Sequence, residues 1–543
     1  MQQSPSRIRR SFWAAAGVSL ALVLGACGSA AAPAASTGGS SSGATASAAS
    51  TGQAASGNTF TMSLISTGTN KVPAFTTTGE DSEIYGQIYD SLLEINSKTN
   101  EIGPGLATSY SVSPDGKTWT LPLRQGVKWQ GGYGDFTCAD VQFTWNFNKD
   151  PQNKSFWQTT ASNVDSVDCP DPYTAVFHLK TPFLGFVWNL ANIQPSTGYV
   201  MSAKAWAKLG KDGYNQTPIG TGPFMLQSLT PGQQVVLVPN PDYWGTKPSI
   251  DKLVFKVITD TQTAALAVKT GQVDVAGIDA LTATEYKSTP GVSVLTKQAM
   301  HTDYLELNQL VKPLNDVRVR EAMRYAIDYQ GLVKTVVQGF GVPGYGGMIG
   351  PQQTGFDASA NPQNVYDPAK AKQLLQQAGV TTPLQGFFTT YNDTQDVNMA
   401  QYIAADFQAV GINYQPRPLE RGTLVQVRIQ DTTPAAIIGD TWGPDPSSNF
   451  DGTLLGANIP PKGLDIARYT GIDTWWNQQH SAATQADRLK ALSGLQAQIT
   501  KDVPIIQLYL GSDVWLVNNR VKNFEPTTLF SSDPFNLVSL SGS

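Results

Sequence analysis

The chain predicts a mixed α/β fold spread over more than one domain. Period-two stretches such as residues 59–67 (TFTMSLIST) and 173–180 (YTAVFHLK) send alternate side chains to opposite faces and read as strands. Other stretches carry the helical period. Val319, Ala322, Met323, Ala326 and Ile327 recur at i, i+3, i+4, i+7 and i+8, one apolar stripe on one face. The length of 543 residues is too great for one hydrophobic core and suits two or three domains.

At the N-terminus, Arg7, Arg9 and Arg10 precede an apolar run over residues 12–24 that ends at Leu24-Gly25-Ala26-Cys27. A basic start and an apolar segment too short to span a bilayer read as an export signal, residues 1–26. Cys27 after small residues resembles a lipobox, so cleavage would leave it as a lipidated first residue. A thioether-linked diacylglycerol plus an N-acyl chain passes the two-chain requirement for stable anchoring. Residues 28–58 are Gly, Ala, Ser and Thr with one Pro, one Gln and one Asn, and carry no charge. Such a segment buries too little apolar surface to offset its ordering entropy, and as a flexible tether it spans about 30 Å. It contains Gly39-Ser40-Ser41-Ser42-Gly43, a literal GxSxG without the strand before it and helix after it that a nucleophile elbow needs.

Removing 26 residues from 543 leaves 517, and losing three arginines takes the formal charge from −5 to −8. An acidic chain with no basic cluster argues against nucleic-acid binding. Two cysteines remain beside Cys27, namely Cys138 and Cys169, and an even remainder in an exported chain reads as a disulfide.

In chain order, residues 81–93 read as a helix with Ile84, Ile88 and Leu92 on one face. Ser113-Pro114-Asp115-Gly116-Lys117 is a tight-hairpin signal ahead of Trp119 and Leu121. Thr137-Cys138-Ala139-Asp140 starts a helix with Thr137 or Asp140 as cap. His178 falls in an alternating strand and reads as a strand residue, not a metal ligand. The stretch Ile219-Gly220-Thr221-Gly222-Pro223-Phe224 is a turn cluster. A hairpin follows, residues 224–229 and 234–238 about Pro231-Gly232, closed by Asn240-Pro241-Asp242-Tyr243-Trp244-Gly245.

The wording of that last block resembles the GTGPY…NPDYWGG signature of the extracellular solute-binding proteins of family 5, the oligopeptide-, dipeptide- and nickel-binding components of ABC importers. Further blocks resemble the same family. They are residues 105–141, Val268-Lys269-Thr270-Gly271-Gln272-Val273-Asp274-Val275, DVRVREAMRYAID from Asp316, and YDPAKAKQLLQQAG from Tyr366. The likeness runs from Thr59 to the C-terminus. It implies a two-lobed periplasmic-binding-protein fold (type II, cluster C) with an extra small domain in the first lobe. Residues 59–90, 211–300 and 505–543 would form lobe I, 91–210 the extra domain, and 301–504 lobe II. The lobes would be joined where the chain crosses near residues 301–308 and returns near 503–510. Asp274 is structural in the family and is kept so here.

Gly339-Phe340-Gly341-Val342-Pro343-Gly344 matches GxGxxG by letter, but it follows a helix and Pro343 interrupts any helix beyond it, so no dinucleotide site is expected. Residues 367–379 form a helix with Asp367 as cap and Gly379 as stop. A longer helix over 396–410 leads to a strand at 413–415, and another helix covers about 485–500.

Residues 437–450 (IIGDTWGPDPSSNF) are a strand end breaking into an acidic, aromatic loop. In the family this segment lines the ligand cleft and supplies an aspartate for a peptide's ammonium. Asp440 and Asp445 are the two candidates. The arginine that holds a short peptide's carboxylate is expected near residues 394–399, and none stands there. The resemblance therefore implies ligand contacts from Asp440, Thr441, Trp442 and Asp445, with Thr67, Thr69 and Asn70 opposite and Tyr304 and Tyr509 at the crossovers. No cofactor and no metal are expected: the three histidines, His178, His301 and His480, are not spaced as a metal set, and there is no HExxH. The expected role is a monomeric, lipid-anchored binding protein on the outer face of the cell membrane. It would capture a peptide or peptide-like solute and hand it to a permease served by ATPases. An oligosaccharide, opine or metal chelate on the same fold is the alternative, and an extracellular hydrolase a remote one.

Overall fold

The computed structural model describes residues 58–541 except 69, 77, 100, 192–197, 431, 442, 451–452 and 528–532. The expectations for Cys27, Thr69 and Trp442 lie outside these residues. Among them the largest sheet has eleven strands: β1 (Thr59–Leu64), β2 (Phe224–Thr230), β3 (Gln234–Pro239), β4 (Lys252–Val257), β5 (Val275–Gly277), β6 (Val292–Leu307), β7 (Gly341–Pro343), β8 (Leu384–Tyr391), β9 (Ile412–Leu419), β10 (Ala435–Thr441) and β11 (Ile505–Asn518). The order is β9-β8-β10-β6-β11-β5-β1-β4-β3-β2, with β7 on β11.

β6 and β11 are the long members, and they pair antiparallel along most of their length. One half of the pair, Val292 to Gln298 against Ser512 to Asn518, belongs with β5 and β1 in the first lobe. The other half, Thr302 to Glu306 against Ile505 to Leu510, lies beside β10 in the second. Between them the register shifts from Gln298 to Thr302, so the two halves are joined by an interrupted ladder.

Packing follows the same division. On β10, Ala435 and Ile437 enter one core with Leu305, Met323 and Phe407, while Ala436 and Ile438 enter another with Tyr304, Phe450 and Leu492. Helices covering both faces of a strand require an unbroken apolar run, which is why this strand reads AAII and does not alternate. The amphipathic helix is Val317–Ala326, capped by Asp316; Val319, Ala322, Met323 and Ala326 on its stripe are fully buried, as is Ile327 just past its end.

The small domain carries a four-stranded sheet, Ser111–Val112, Thr118–Pro122, Thr174–Leu179 and Val164–Asp171 in spatial order. Thr137 and Asp140 form a reciprocal capping box at the start of the helix Cys138–Lys149. Cys138 and Cys169 are disulfide-bonded with their Cα atoms 5.7 Å apart. The closed segment, 31 residues in sequence separation, stabilises by about 3–4 kcal/mol on the chain-entropy account.

One helix departs from its periodic signal. Residues 81–93 are helical only as Gly79–Tyr85, and Leu93–Ile95 is a strand, although Ile84, Ile88 and Leu92 are all buried. The GTGPF block explains the change. Gly222 N–H donates to the Ile88 carbonyl and Phe224 N–H to the Gln87 carbonyl, both at 2.8 Å, drawing that backbone out of the helix. A Cβ on Gly220 would overlap the Ile88 oxygen, so the approach requires glycine. Thr221 Oγ1 and Trp244 Nε1 both donate to Asp90 Oδ2 at 2.7 Å, and Asn240 Nδ2 donates to the Gly222 carbonyl at 2.9 Å. The signature is therefore a tertiary clasp in the first lobe. Asp274 is likewise structural: its carboxylate accepts from Thr61 N–H at 2.8 Å and pairs with Arg520 at 2.5 Å.

Candidate functional site

The second-lobe strands β8, β9 and β10 run parallel and end on one side, the edge at which open α/β sheets bind ligands. β10 carries Thr441 opposite His301 of β6, Asp440 opposite Thr302, and Ile438 opposite Tyr304. That register brings the end of β10 to the interrupted middle of β6, where the two lobes meet.

His301 is the pivot of this corner. Its Nδ1 is 3.3 Å from Thr441 Oγ1 and its Nε2 is 3.4 Å from Asp303 Oδ2. Burial alone would lower its pKa. The bond to Asp303 and the charges of Asp303, Asp513 and Asp396 outweigh burial and raise it.

Beside His301 lies a cavity of about 290 Å³ whose wall includes Glu80, Glu83, Asp513, Asp533, His301 and Thr441, and no lysine or arginine among the described residues. Three of these acids, Glu83, Asp513 and Asp533, are shifted upward. Burial pushes Asp513 up to about 6 against the pull of His301. Burial also carries Asp533 to about 7, opposed by hydrogen bonds from Thr527 and the charge of Lys297. Glu83 stands well above its ordinary value through burial and the neighbouring Asp533 charge. Lys297, the nearby ammonium, is itself held by the Ser97 and Pro526 carbonyls. In these three, burial outweighs the pull of Lys297 and His301, and a cation entering the cavity would favour their ionised form.

Thr441 also borders a second, larger cavity of about 1160 Å³. One side comes from the small domain, including Lys180, Phe183 and Trp188, and the other from the second lobe, including Pro444, Asp445 and His480. The lobes touch here. The Phe183 and His480 rings stack with centroids 5.1 Å apart and planes 9° apart, and Trp476 meets His480 edge-on at 4.4 Å.

The sequence-derived site residues fall in three groups. Thr441 is exposed and borders both cavities. Asp440 is half-buried one residue away, accepts the Tyr304 hydroxyl, and has its pKa raised by burial against that bond and the Arg428 charge. Asp445 borders the larger cavity, but its carboxylate pairs with buried Arg488 at 2.5 Å and caps the turn through Ser447 N–H at 3.0 Å. Arg488 in turn donates to Gln479, so this arginine ties the helix Asp473–His480 to Gln485–Asp502 and holds Asp445 against both. Tyr304 and Tyr509 are buried: the first hydroxyl serves Asp440, and the second accepts from Gln395 Nε2 at 3.0 Å. Thr67 is buried and accepts from Gly232 N–H at 3.1 Å, away from both cavities, and Asn70 borders neither. The tyrosines and Thr67 thus act as supports in this conformation.

Sequence reasoning missed Glu80, Glu83, His301, Asp513 and Asp533 as a set. They come from the helix Gly79–Tyr85, β6, β11 and the segment before the C-terminal strand, and no spacing in the chain links them. His178 stands on the strand Thr174–Leu179 with Asp168 at 3.1 Å. Among the described residues no group of three or more His, Cys, Asp or Glu is placed to hold a metal, and no helix is long and apolar enough to cross a membrane.

With this geometry in hand, comparison with known proteins is specific. Residues 101–460 match the family model for bacterial extracellular solute-binding proteins, family 5 middle. The chain is similar to the dipeptide-binding protein of Escherichia coli K12, 30% identical over 413 residues that cover 70% of this chain and 75% of that one. It is also similar to di/tripeptide-binding protein 1 of Pseudomonas aeruginosa, 29% identical over 477 residues and covering 80% and 85% of the two chains. The structure of HbpA2 from Haemophilus parasuis superposes with a TM-score of 0.80 at 25% identity, over 89% of this chain and all of that one.

Proposed function

Because this chain belongs to family 5 of the bacterial extracellular solute-binding proteins, which serve ABC importers, we propose that it captures a peptide or peptide-like solute with a cationic group between its lobes and presents it to an importer permease. The relatives' peptide ligands support the class of solute. The observation that carries the charge is the hinge cavity: four carboxyl side chains around one half-buried histidine, with no lysine or arginine in the wall among the described residues. An ammonium there would form charge-assisted hydrogen bonds in a water-poor site. Thr441 and Asp440 flank it, with Asp445, Tyr304 and Tyr509 holding the local geometry, and Thr69, Asn70 and Trp442 remain part of the reading on sequence grounds.

The interrupted ladder between β6 and β11 is the hinge of this reading. A ligand touching both lobes binds the closed arrangement better than the open one and so shifts the population toward closure. Solute binding, not catalysis, is the role of the family. Work comes from ATPases that act on the permease. Residues 1–26 serve as the export signal, Cys27 as the lipid anchor and residues 28–58 as the tether of a monomer.

The test of the solute is thermal unfolding of the full chain with peptides that carry a free ammonium, against the same peptides N-acetylated. A ligand specific to the folded state stabilises by RT ln(1 + [L]/Kd), about 2.7 kcal/mol at a hundredfold excess over Kd. Free-amine peptides are expected to raise the unfolding temperature and acetylated ones not to; equal shifts, or none, would refute the assignment. The anchor is tested separately. Cys27→Ser is expected to move the protein from the membrane fraction to the soluble fraction, and continued sedimentation with membranes would rule the anchor out.

A further inference from the structure

Apart from the hinge strands β6 and β11, the lobes touch where the small domain faces the helix Asp473–His480. The rings of Phe183 and His480 lie 5.1 Å apart and 9° from parallel, a stacked aromatic pair. Both side chains are half-buried and both border the larger cavity, so the stack spans it from one lobe to the other.

Each ring is fixed by its own lobe. His480 Nδ1 lies 3.2 Å from the Trp476 carbonyl, one helical turn back, and Trp476 meets the imidazole edge-on. Phe183 packs on the first-lobe core. A Cβ on Gly185 would stand 2.5 Å from Phe183 Cζ and 3.1 Å from Asp445 Oδ2. The bare glycine therefore seats the Phe183 ring and admits the second-lobe carboxylate, which Arg488 holds in place. The hairpin turn at Asp115-Gly116 adds a third point of approach: a Cβ on Gly116 would lie 3.9 Å from the Ala482 carbonyl oxygen. Rings already held on both sides lose little side-chain freedom when they meet.

We propose that Phe183 and His480 form a latch that holds the lobes together in the unliganded protein, at a point separate from the hinge. The latch needs the hinge of the reading above and is indifferent to the solute. Opening the cleft about β6 and β11 parts the two rings, so the ratio of closed to open molecules carries the energy of the stack. An aromatic pair is worth roughly a two- to tenfold change in such a ratio. At the upper end, losing it takes a population about nine-tenths closed to about half closed. A ligand that prefers the closed form finds a larger competent fraction while the latch is present, whatever contacts it makes.

Small-angle X-ray scattering of the unliganded full chain tests this, with Cys27→Ser as the common background so that no lipid holds it to a membrane. The background protein is expected to scatter as the closed structure does. Phe183→Ala and His480→Ala are each expected to raise the radius of gyration, and either serves if the other does not fold by circular dichroism. His480→Phe, which keeps a neutral ring to stack on Phe183, is expected to stay as compact as the background. Three results overturn the latch: a background protein already open, folded alanine variants that scatter as it does, or His480→Phe opening as far as His480→Ala. In each of these the hinge and solute readings stand or fall on the peptide response in thermal unfolding, which is measured separately.

Discussion

The unliganded protein is expected to unfold at its highest temperature near pH 5 and to lose about 5 °C or more on going to pH 8. The cause is a set of buried acids. Burial raises Asp396, Asp465 and Glu94 to about 8, Glu306 and Asp533 to about 7, and Asp90 and Asp513 to about 6. An acid whose folded pKa exceeds its unfolded value near 4 binds its proton more tightly when folded. Stability therefore rises as pH falls through the folded pKa and levels off near the unfolded one. His301, raised above its ordinary value, acts in the same direction, because its contribution is lost as pH rises. Two effects set the acid limit. His480, held neutral by burial, loses its contribution as pH falls below the ordinary histidine range. Acids held low, such as Asp316 through its bond to Arg318, lose theirs as they protonate below about 4. Differential scanning calorimetry from pH 4 to pH 8 reads the profile, and an unfolding temperature that is flat or rising from pH 5 to pH 8 would contradict it.

The same acids give the ligand the opposite dependence. A cationic group in the hinge cavity favours ionised Asp513 and Asp533, so its binding releases protons and tightens as pH rises from 5 to 8. Affinity and unliganded stability thus move in opposite directions over one pH window. That opposition separates a ligand seated among these carboxyls from one bound elsewhere.

What the sequence made legible follows from how local each feature is. The capping box at Thr137 and Asp140, the hairpin of β2 and β3 and the helix Val317–Ala326 are specified by neighbours within a few residues, and each stands close to where its pattern puts it. The stretch from Asp81 to Leu93 does not, because its backbone is claimed by Gly222 and Phe224, more than a hundred positions away. A period of buried residues records which side chains are inside, not which backbone delivers them there.

The site was legible only in part, for the same reason. The acidic stretch at the end of β10 announces itself in the sequence, and Thr441, the last residue of that strand, borders both cavities. Asp445 has the residue type of a ligand contact, yet its partner is Arg488, forty-three positions on, which a single sequence does not pair with it. The cavity carboxyls have no shared motif at all, since the helix Gly79–Tyr85, β11 and the segment before the C-terminal strand bring them together from opposite ends of the chain. Tertiary pairing makes that cavity, and residue type reveals it only afterwards.

Replacing Arg428 by methionine is expected to cost about 3–5 kcal/mol of stability at pH 8, among the largest losses available to one substitution. Arg428 Nη2 lies 2.8 Å from Glu306 Oε2, and both side chains are buried on the second-lobe side of the hinge. Among the described residues Glu306 Oε1 and Arg428 Nε have no hydrogen-bond partner, and the pair is held by one contact in a low-dielectric setting. Without Arg428 the Glu306 carboxylate is left buried and uncompensated, and it escapes by taking a proton. Glu306 already stands at about 7 with its partner in place, so the loss should shrink markedly at pH 5, where the carboxyl is neutral in either variant. Glu306→Gln combined with Arg428→Met should recover most of the stability at pH 8, since replacing both charges of a buried pair is often neutral. Urea unfolding of the four proteins at pH 5 and pH 8 gives the full cycle. A single-variant loss below about 1 kcal/mol at pH 8, or one equal at both pH values, would show that the pair is not an isolated buried charge contact. The consequence reaches the cleft, because Arg428 also lowers the pKa of Asp440, whose oxygen receives the Tyr304 hydroxyl. Removing it leaves Asp440 more protonated at a given pH, so Arg428→Met should weaken a cationic ligand even where the fold survives.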